Sequence, residues 1–367
     1  MKVLFWTPYP TQGPSNRYRV EQYLPSLRDR GIDFDLRPFW SSAAYKLLYE
    51  QGHFLEKTYY FLLGVLSRLR DILAISKYHI VFIHREACPV GGAFFETVLS
   101  LLRKPIIFDF DDAIFLPSGT LTNSFIERFK RPDKTSTIIR KSSHVISGNS
   151  YLYEYALRYN NSVSVIPTPI DTARYAPMPK ESQGDITIGW AGSITTLEFL
   201  KMLENVFIKL SRHFPFIKIK TIGGYLSVKE LTNITSKKWS LEEELDDLRA
   251  FDIGVMPMPD NEWTRGKCGF KAILYMSMGI PCVCSPVGMN KDIITDAKDG
   301  FFASSEEEWF EKLSLLITDA GLRKRIGIAA RETVEKTFSV KVNAPKFTDI
   351  LLNVYANAYD KGKRCAE

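Results

Sequence analysis

The stretch FDIGVMPMPDNEWTRGKCGFKAILYMSMGIPCVCSPVG, Phe251 to Gly288, holds two short apolar runs, Asp252 to Met256 and Pro281 to Ser285, around a helical pattern from Phe270 to Met278. Parallel strands need a crossover between them, and a helix supplies it, so this order reads as one strand–helix–strand unit of a parallel sheet. Gly279 followed by Pro281 stops the helix and starts the second strand. Upstream the alternation continues with a strand at Ile186–Ala191, a helix from about Thr196 to His213, a strand at Ile217–Ile222 and a helix at Leu241–Ala250. Ser240 and Glu243 form a capping-box signature for that last helix. A final strand signal lies at Gly300–Ala303, and Ser304 to Ala358 is almost entirely helical in pattern.

The N-terminal part repeats the scheme. Short strands are expected at Val3–Trp6, Phe34–Phe39, Ile80–His84, Pro105–Phe110 and Val145–Ser147, nearly all separated by helical patterns. The segment Ile166–Gly184 is proline-rich, polar and without a period, which marks a boundary. The expectation is an α/β protein with two doubly wound, Rossmann-like domains facing a cleft. Its parts are a first domain over 1–166, a linker over 167–184, a second domain over 185–339, and a crossover helix and tail over 340–367 that packs back across both. Ligands of such sheets bind in loops at the carboxyl ends of the strands.

Composition narrows the function class. Of 367 residues, 45% are hydrophobic and 25% charged, which excludes a disordered, collagenous or multi-spanning membrane chain. The net charge is 48 − 42 = +6, a mild bias toward anionic partners without the aromatic interleaving of a nucleic-acid module. Five cysteines without ligand spacing point to reduced thiols, with neither a disulfide framework nor a zinc site among them. The apolar run at the N-terminus is too short for a signal peptide, so a cytoplasmic location is expected. Signatures for a nicotinamide cofactor, a P-loop, a serine hydrolase elbow and a zinc protease are all missing, and no cofactor is expected.

Three loops carry candidate chemistry. The loop after the first strand holds Gly13 and Arg17 beside a predicted helix start, a setting that favours an anion or is simply a proline-bounded turn. Arg265, Lys267 and Lys271 surround the first turn of the helix at Phe270, with Gly266 and Gly269 allowing close backbone approach, an arrangement suited to a diphosphate. Gly288 before Met289 and Asn290 could add backbone donors. His84 and Arg85 end one strand and Asp109, Asp111 and Asp112 end another. The acids could bind a metal, act as a base, accept from hydroxyl-rich substrates, or cap a turn. Lys57–Lys77 reads as a core-packing helix by default, with a membrane-surface contact as the sharper alternative.

With NRYRVEQYLPSLRDRG, DFDDAIF, IGWAGS, KCGFKAILYMSMGIPCVCSPVGMN and DGFFA, the chain resembles bacterial glycosyltransferases of family 4, of GT-B fold, over nearly its whole length. The resemblance implies a retaining enzyme that moves a sugar from a nucleoside-diphosphate sugar to a polysaccharide or lipid-linked glycan without an obligatory metal. It further implies a peripheral contact with the inner face of the membrane and no nucleic acid partner. It implies donor binding by Gly13, Arg17, Gly192, Ser193, Arg265, Cys268, Gly269, Phe270, Gly288, Met289 and Asn290, and catalytic roles for Lys271, Lys267 and Asp112. His84, Arg85 and Asp111 would contact the acceptor or sugar. One departure stands out: the two glutamates of the family's E-x7-E signature would fall on Gly266 and Leu274. The alternative is an inactive nucleotide-sugar binder or scaffold of the same fold.

Overall fold

The structure is a computed structural model that describes residues 1–48, 50, 52–116, 133–178 and 184–359. Cys365, the tail 360–367 and linker positions 179–183 lie outside the described residues. The chain divides into two units, Met1–Pro169 together with the segment from Val340, and Ile170–Ser339.

The first unit is built on β1 (Lys2–Thr7), β2 (Asp33–Pro38), β3 (Ile80–His84), β4 (Ile106–Phe110), β5 (His144–Ser147) and β6 (Val163–Val165). They form one parallel sheet in the order β2-β1-β3-β4-β5-β6. The edge strand β6 was not anticipated, because three half-exposed residues give too short a pattern to read. Its helices are α1 (Pro14–Arg19), α2 (Leu24–Asp29), α3 (Ser42–Leu48), α4 (Phe54–Leu73), α5 (Phe94–Leu101), α6 (Lys134–Lys141) and α7 (Ser150–Leu157).

The second unit carries β7 (Ile186–Ala191), β8 (Ile217–Ile222), β9 (Ile234–Lys237), β10 (Ile253–Met256), β11 (Cys282–Cys284) and β12 (Phe301–Phe302) in the parallel order β12-β11-β10-β7-β8-β9. Its helices are α8 (Ile194–Leu200), α9 (Glu204–His213), α10 (Glu244–Arg249), α11 (Glu262–Arg265), α12 (Phe270–Ser277), α13 (Asn290–Ile293), α14 (Glu306–Thr318) and α15 (Ala320–Thr333). The single helix expected over 196–213 is broken by a 3-10 turn at Lys201–Leu203. Ser240 Oγ accepts the Glu243 N–H at 3.2 Å, but the Glu243 carboxylate takes the Ser240 hydroxyl, and the helix starts only at Glu244. Ile188, Trp190, Phe207, Val255, Val283 and Trp309 share the core of this unit.

The last helix, α16 (Val340–Tyr359), returns to the first unit, where Ala344, Phe347 and Leu351 join Val3, Phe5 and Tyr23 in the core. Phe347 stacks on Tyr23 with ring centroids 4.2 Å apart. The helices of 306–333 and the π-helical turn Val334–Phe338 stay with the second unit.

One expectation is corrected. The helix read from 57–77 as core-packing is α4, and its leucines face outward while Gly64, Arg68 and Asp71 are the buried residues. The inversion has a physical cause. Arg68 donates to Ala87 O at 2.9 Å and to Arg37 O and Thr7 O at 3.1 Å, serving one loop carbonyl and two at strand ends, of which Thr7 O also accepts the Phe39 N–H at 2.8 Å. Its guanidinium lies 4.9 Å from the Trp6 ring, and the Trp6 indole N–H donates to Asp71 at 2.8 Å. Burial pulls the Arg68 pKa down to about 10, and it stays charged at neutral pH. Gly64 leaves room for Phe39, whose ring would lie 2.7 Å from any Cβ there.

Arg68→Leu would strip the donors from these carbonyls at roughly 1 kcal/mol or more each. We expect the melting temperature of the first unit to fall by about 6–12 °C. Calorimetry showing an unchanged transition would mean that the carbonyls are served by water.

Candidate functional site

In the second unit four loops gather at the carboxyl edge of one parallel sheet: 192–193 after β7, 223–224 after β8, 257–271 after β10 and 285–290 after β11. The β7 loop is held from below. Gly254 lacks a Cβ that would come within 2.4 Å of the Tyr275 ring, so the ring of α12 lies flat against the sheet. The Tyr275 hydroxyl accepts the Ala191 N–H at 2.9 Å, and burial pushes its pKa far up, so it remains a neutral phenol.

Lys271, in the first turn of α12, donates to Thr196 Oγ1 of α8 at 3.2 Å and sits 5.4 Å from the Trp190 ring. A Cβ on Gly192 would stand 2.4 Å from the Trp190 ring and 2.7 Å from Lys271 Cε, so the glycine leaves room for both side chains beside the β7 loop. Gly223, at φ +86°, packs against Gly192 O so closely that a Cβ would lie 1.9 Å from it. Sequence reasoning missed the Gly223–Gly224 turn, whose only signal was two adjacent glycines after a strand.

The other predicted donor residues divide. Lys267 Nζ lies 3.8 Å from the Trp263 ring, and Arg265 Nε pairs with Asp260 at 2.7 Å on the surface. Gly269 and Gly288 adopt left-handed backbone at φ +62° and +52°, and Gly288 packs on Arg265 O. Asn290 donates to Ser285 O at 2.9 Å, and its buried Oδ1 has no hydrogen-bond donor among the described residues. Cys268 and Met289 are buried, Phe270 is half-buried and Ser193 is exposed. Gly266 caps α11, and Leu274 is a buried apolar residue of α12.

In the first unit Gly13 precedes α1, and Arg17 turns back into its own loop, donating to Thr11 O at 3.3 Å and the Tyr18 hydroxyl at 3.4 Å. The expected group at the ends of β3 and β4 does come together, around Arg19, which the sequence places only in the anion-favouring cluster Ser15–Arg19 of the first loop. Arg19 pairs with the fully buried Asp109 and also donates to Ile166 O at 2.7 Å. His84, opposite Asp109 in the strand register, meets it through Nδ1 at 2.7 Å. Arg85, at φ +61°, donates to Asp111 at 2.6 Å and Asp112 at 2.7 Å. The acids are thus tied to two arginines. Among the described residues no group of three His, Cys, Asp or Glu could hold a metal ion.

Burial alone would raise the carboxyls of Asp109 and Asp111. The Arg19 charge and His84 overcome it at Asp109, and Arg85 with His84 overcomes it at Asp111, so both lie below the ordinary carboxylate value of 3.8. A depressed folded pKa contributes stability that is complete above the unfolded value and is lost as pH falls below it. The melting temperature should therefore drop between about pH 5 and pH 2, with a shallower drop in Asp111→Asn. Parallel curves for the two proteins would show that this pair does not couple to stability.

A family profile described as Glycosyl transferases group 1 matches residues 187–319. No curated protein matches the chain. Among solved structures the chain is similar to a sucrose-phosphate synthase from Thermosynechococcus elongatus, with TM-score 0.71 and 14% identity over 97% of this chain and 100% of that one. It is similar to HepE of Anabaena in complex with UDP and glucose, with TM-score 0.67 and 14% identity over 96% and 100%. A glycosyltransferase from Rickettsia africae gives TM-score 0.68 and 14% identity over 97% and 98%. Residues 187–319 thus match a group 1 glycosyl transferase domain, carried in a chain of GT-B fold.

Proposed function

We propose that the chain is a retaining, family 4 glycosyltransferase that moves a sugar from a nucleoside-diphosphate sugar to a polysaccharide or a lipid-linked glycan. The observation that carries this reading is the placement of Lys271 in the first turn of α12, beside the Gly192 loop, within the matched segment. A helix N-terminus, a lysine and glycine backbone together suit a diphosphate. The HepE structures, with UDP or UDP-glucose, support a nucleotide-sugar donor by analogy.

In this reading Lys271 and Lys267 face the diphosphate and offset the charge that grows as it leaves. Gly192, Gly269 and Gly288 bring backbone close to it, and Asn290 braces the loop that carries Gly288 by donating to Ser285 O. Retention places the acceptor hydroxyl on the face from which the diphosphate departs, so the departing phosphate oxygen can take the hydroxyl proton. Asp111 and Asp112 orient hydroxyls of the sugar or acceptor. The work is cytoplasmic, and a lipid-linked acceptor would bring the enzyme to the inner face of the membrane. No described helix is long and apolar enough to cross it.

A second reading, donor binding without transfer, is favoured by Gly266 and Leu274, which offer no carboxylate where the family signature has two. Both readings expect a thermal shift with one of the uridine, guanosine, adenosine or thymidine diphosphates, undiminished without magnesium and reduced in Lys271→Ala. Only the first expects release of nucleoside diphosphate with an acceptor, lowered about 100- to 1000-fold in a folded Lys271→Ala. Binding without release would select the second reading, and no shift with any nucleotide would end both.

A further inference from the structure

α4 presents an apolar stripe outward: Leu55, Tyr59, Leu62, Leu66, Leu69 and Leu73 are between 41% and 87% exposed. A single exposed leucine needs no explanation, but five leucines and a tyrosine in one row along a 20-residue helix do. Their spacing alternates four, three, four, three and four residues. That is the a/d seam of a heptad repeat, with Tyr59, Leu66 and Leu73 at a and Leu55, Leu62 and Leu69 at d, and it is the spacing by which one helix packs along another. Phe54 and Leu63 are exposed beside the row, so its width does not choose between a lipid surface and a second helix; the pattern of charge along its flanks does.

The seam is complementary to itself. Laid antiparallel about Gly64, Leu55 meets Leu73, Tyr59 meets Leu69 and Leu62 meets Leu66, so each a residue faces a d residue. The flanking e positions are Glu56, Leu63 and Arg70. The same alignment sets Glu56 beside Arg70 of the second copy, twice by symmetry, and Leu63 beside Leu63. The opposite flank, Thr58, Val65 and Ile72, carries no charge. Glu56 already meets His53 of its own chain, at the end of the seam.

We infer that α4 is a self-association surface, and that its occupant is α4 of a second copy of this chain, antiparallel, with Glu56 paired to Arg70 across the two-fold axis. The inference does not depend on the transferase reading.

Sedimentation of the full-length protein tests it. A concentration-dependent dimer is expected, and Leu62→Glu with Leu66→Glu should yield a monomer with unchanged circular dichroism. Glu56→Arg or Arg70→Glu alone should weaken the dimer by roughly tenfold, since each turns two attractions into two repulsions, and the two changes together should restore it. A monomer at all concentrations would overturn the inference, whether or not it floats with phosphatidylglycerol vesicles. Flotation would assign the stripe to a lipid surface instead. A dimer indifferent to the charge reversals would overturn the antiparallel pairing.

Discussion

Parallel strands cannot be joined by tight turns, and this one constraint organises both halves of the chain. Each strand must be followed by a crossover segment, which covers the sheet and returns the chain to the same edge. Every strand-to-helix loop of a unit therefore emerges on one side. Four such loops in the second unit bring Gly192, Gly223, Lys271 and Gly288 to one edge although they are far apart in sequence. The chemistry of that edge then depends on small contacts beneath it: Tyr275 under the β7 loop, and glycines where backbone meets backbone.

Buried charge does different work in the first unit. Arg19 and Asp109 are both almost fully enclosed, and such a pair gains little net stability once its desolvation is counted. It does specify geometry. Arg19 reaches from α1 to the end of β4 and to Ile166 O, joining three distant segments, and His84 completes the hydrogen bonding of the carboxylate. Arg85 holds Asp111 and Asp112 just beyond them, which fixes both carboxylates in place and keeps Asp111 ionised.

α4 shows how the same logic can invert a helix. Buried guanidinium and carboxylate satisfy loop carbonyls and an indole N–H that leucine could not, so the polar side takes the inside position and the leucines are left outward. Amphipathicity alone assigns such a helix the opposite orientation, because a hydrophobic period reports that a helix has two faces and not which one the protein needs.

Strands of three or more apolar residues bounded by turn residues were legible from the chain alone, since burial on both faces demands such runs: Ile80–His84 and Ile186–Ala191 appear where they were read. So was the clustering of basic residues and glycines around Phe270, because short-range spacing survives folding. β6 and β9 were not legible, being short or set in polar sequence, and neither was the outward face of α4. Arg19 and Arg17 stand two residues apart with the same chemistry, yet Arg19 crosses the unit to Asp109 while Arg17 donates to Thr11 O and the Tyr18 hydroxyl. Local pattern sets which segments become strands and helices because hydrogen bonding and burial period are local. Which polar group finds which partner is decided by distances between segments scores of residues apart, and only the tertiary structure sets those.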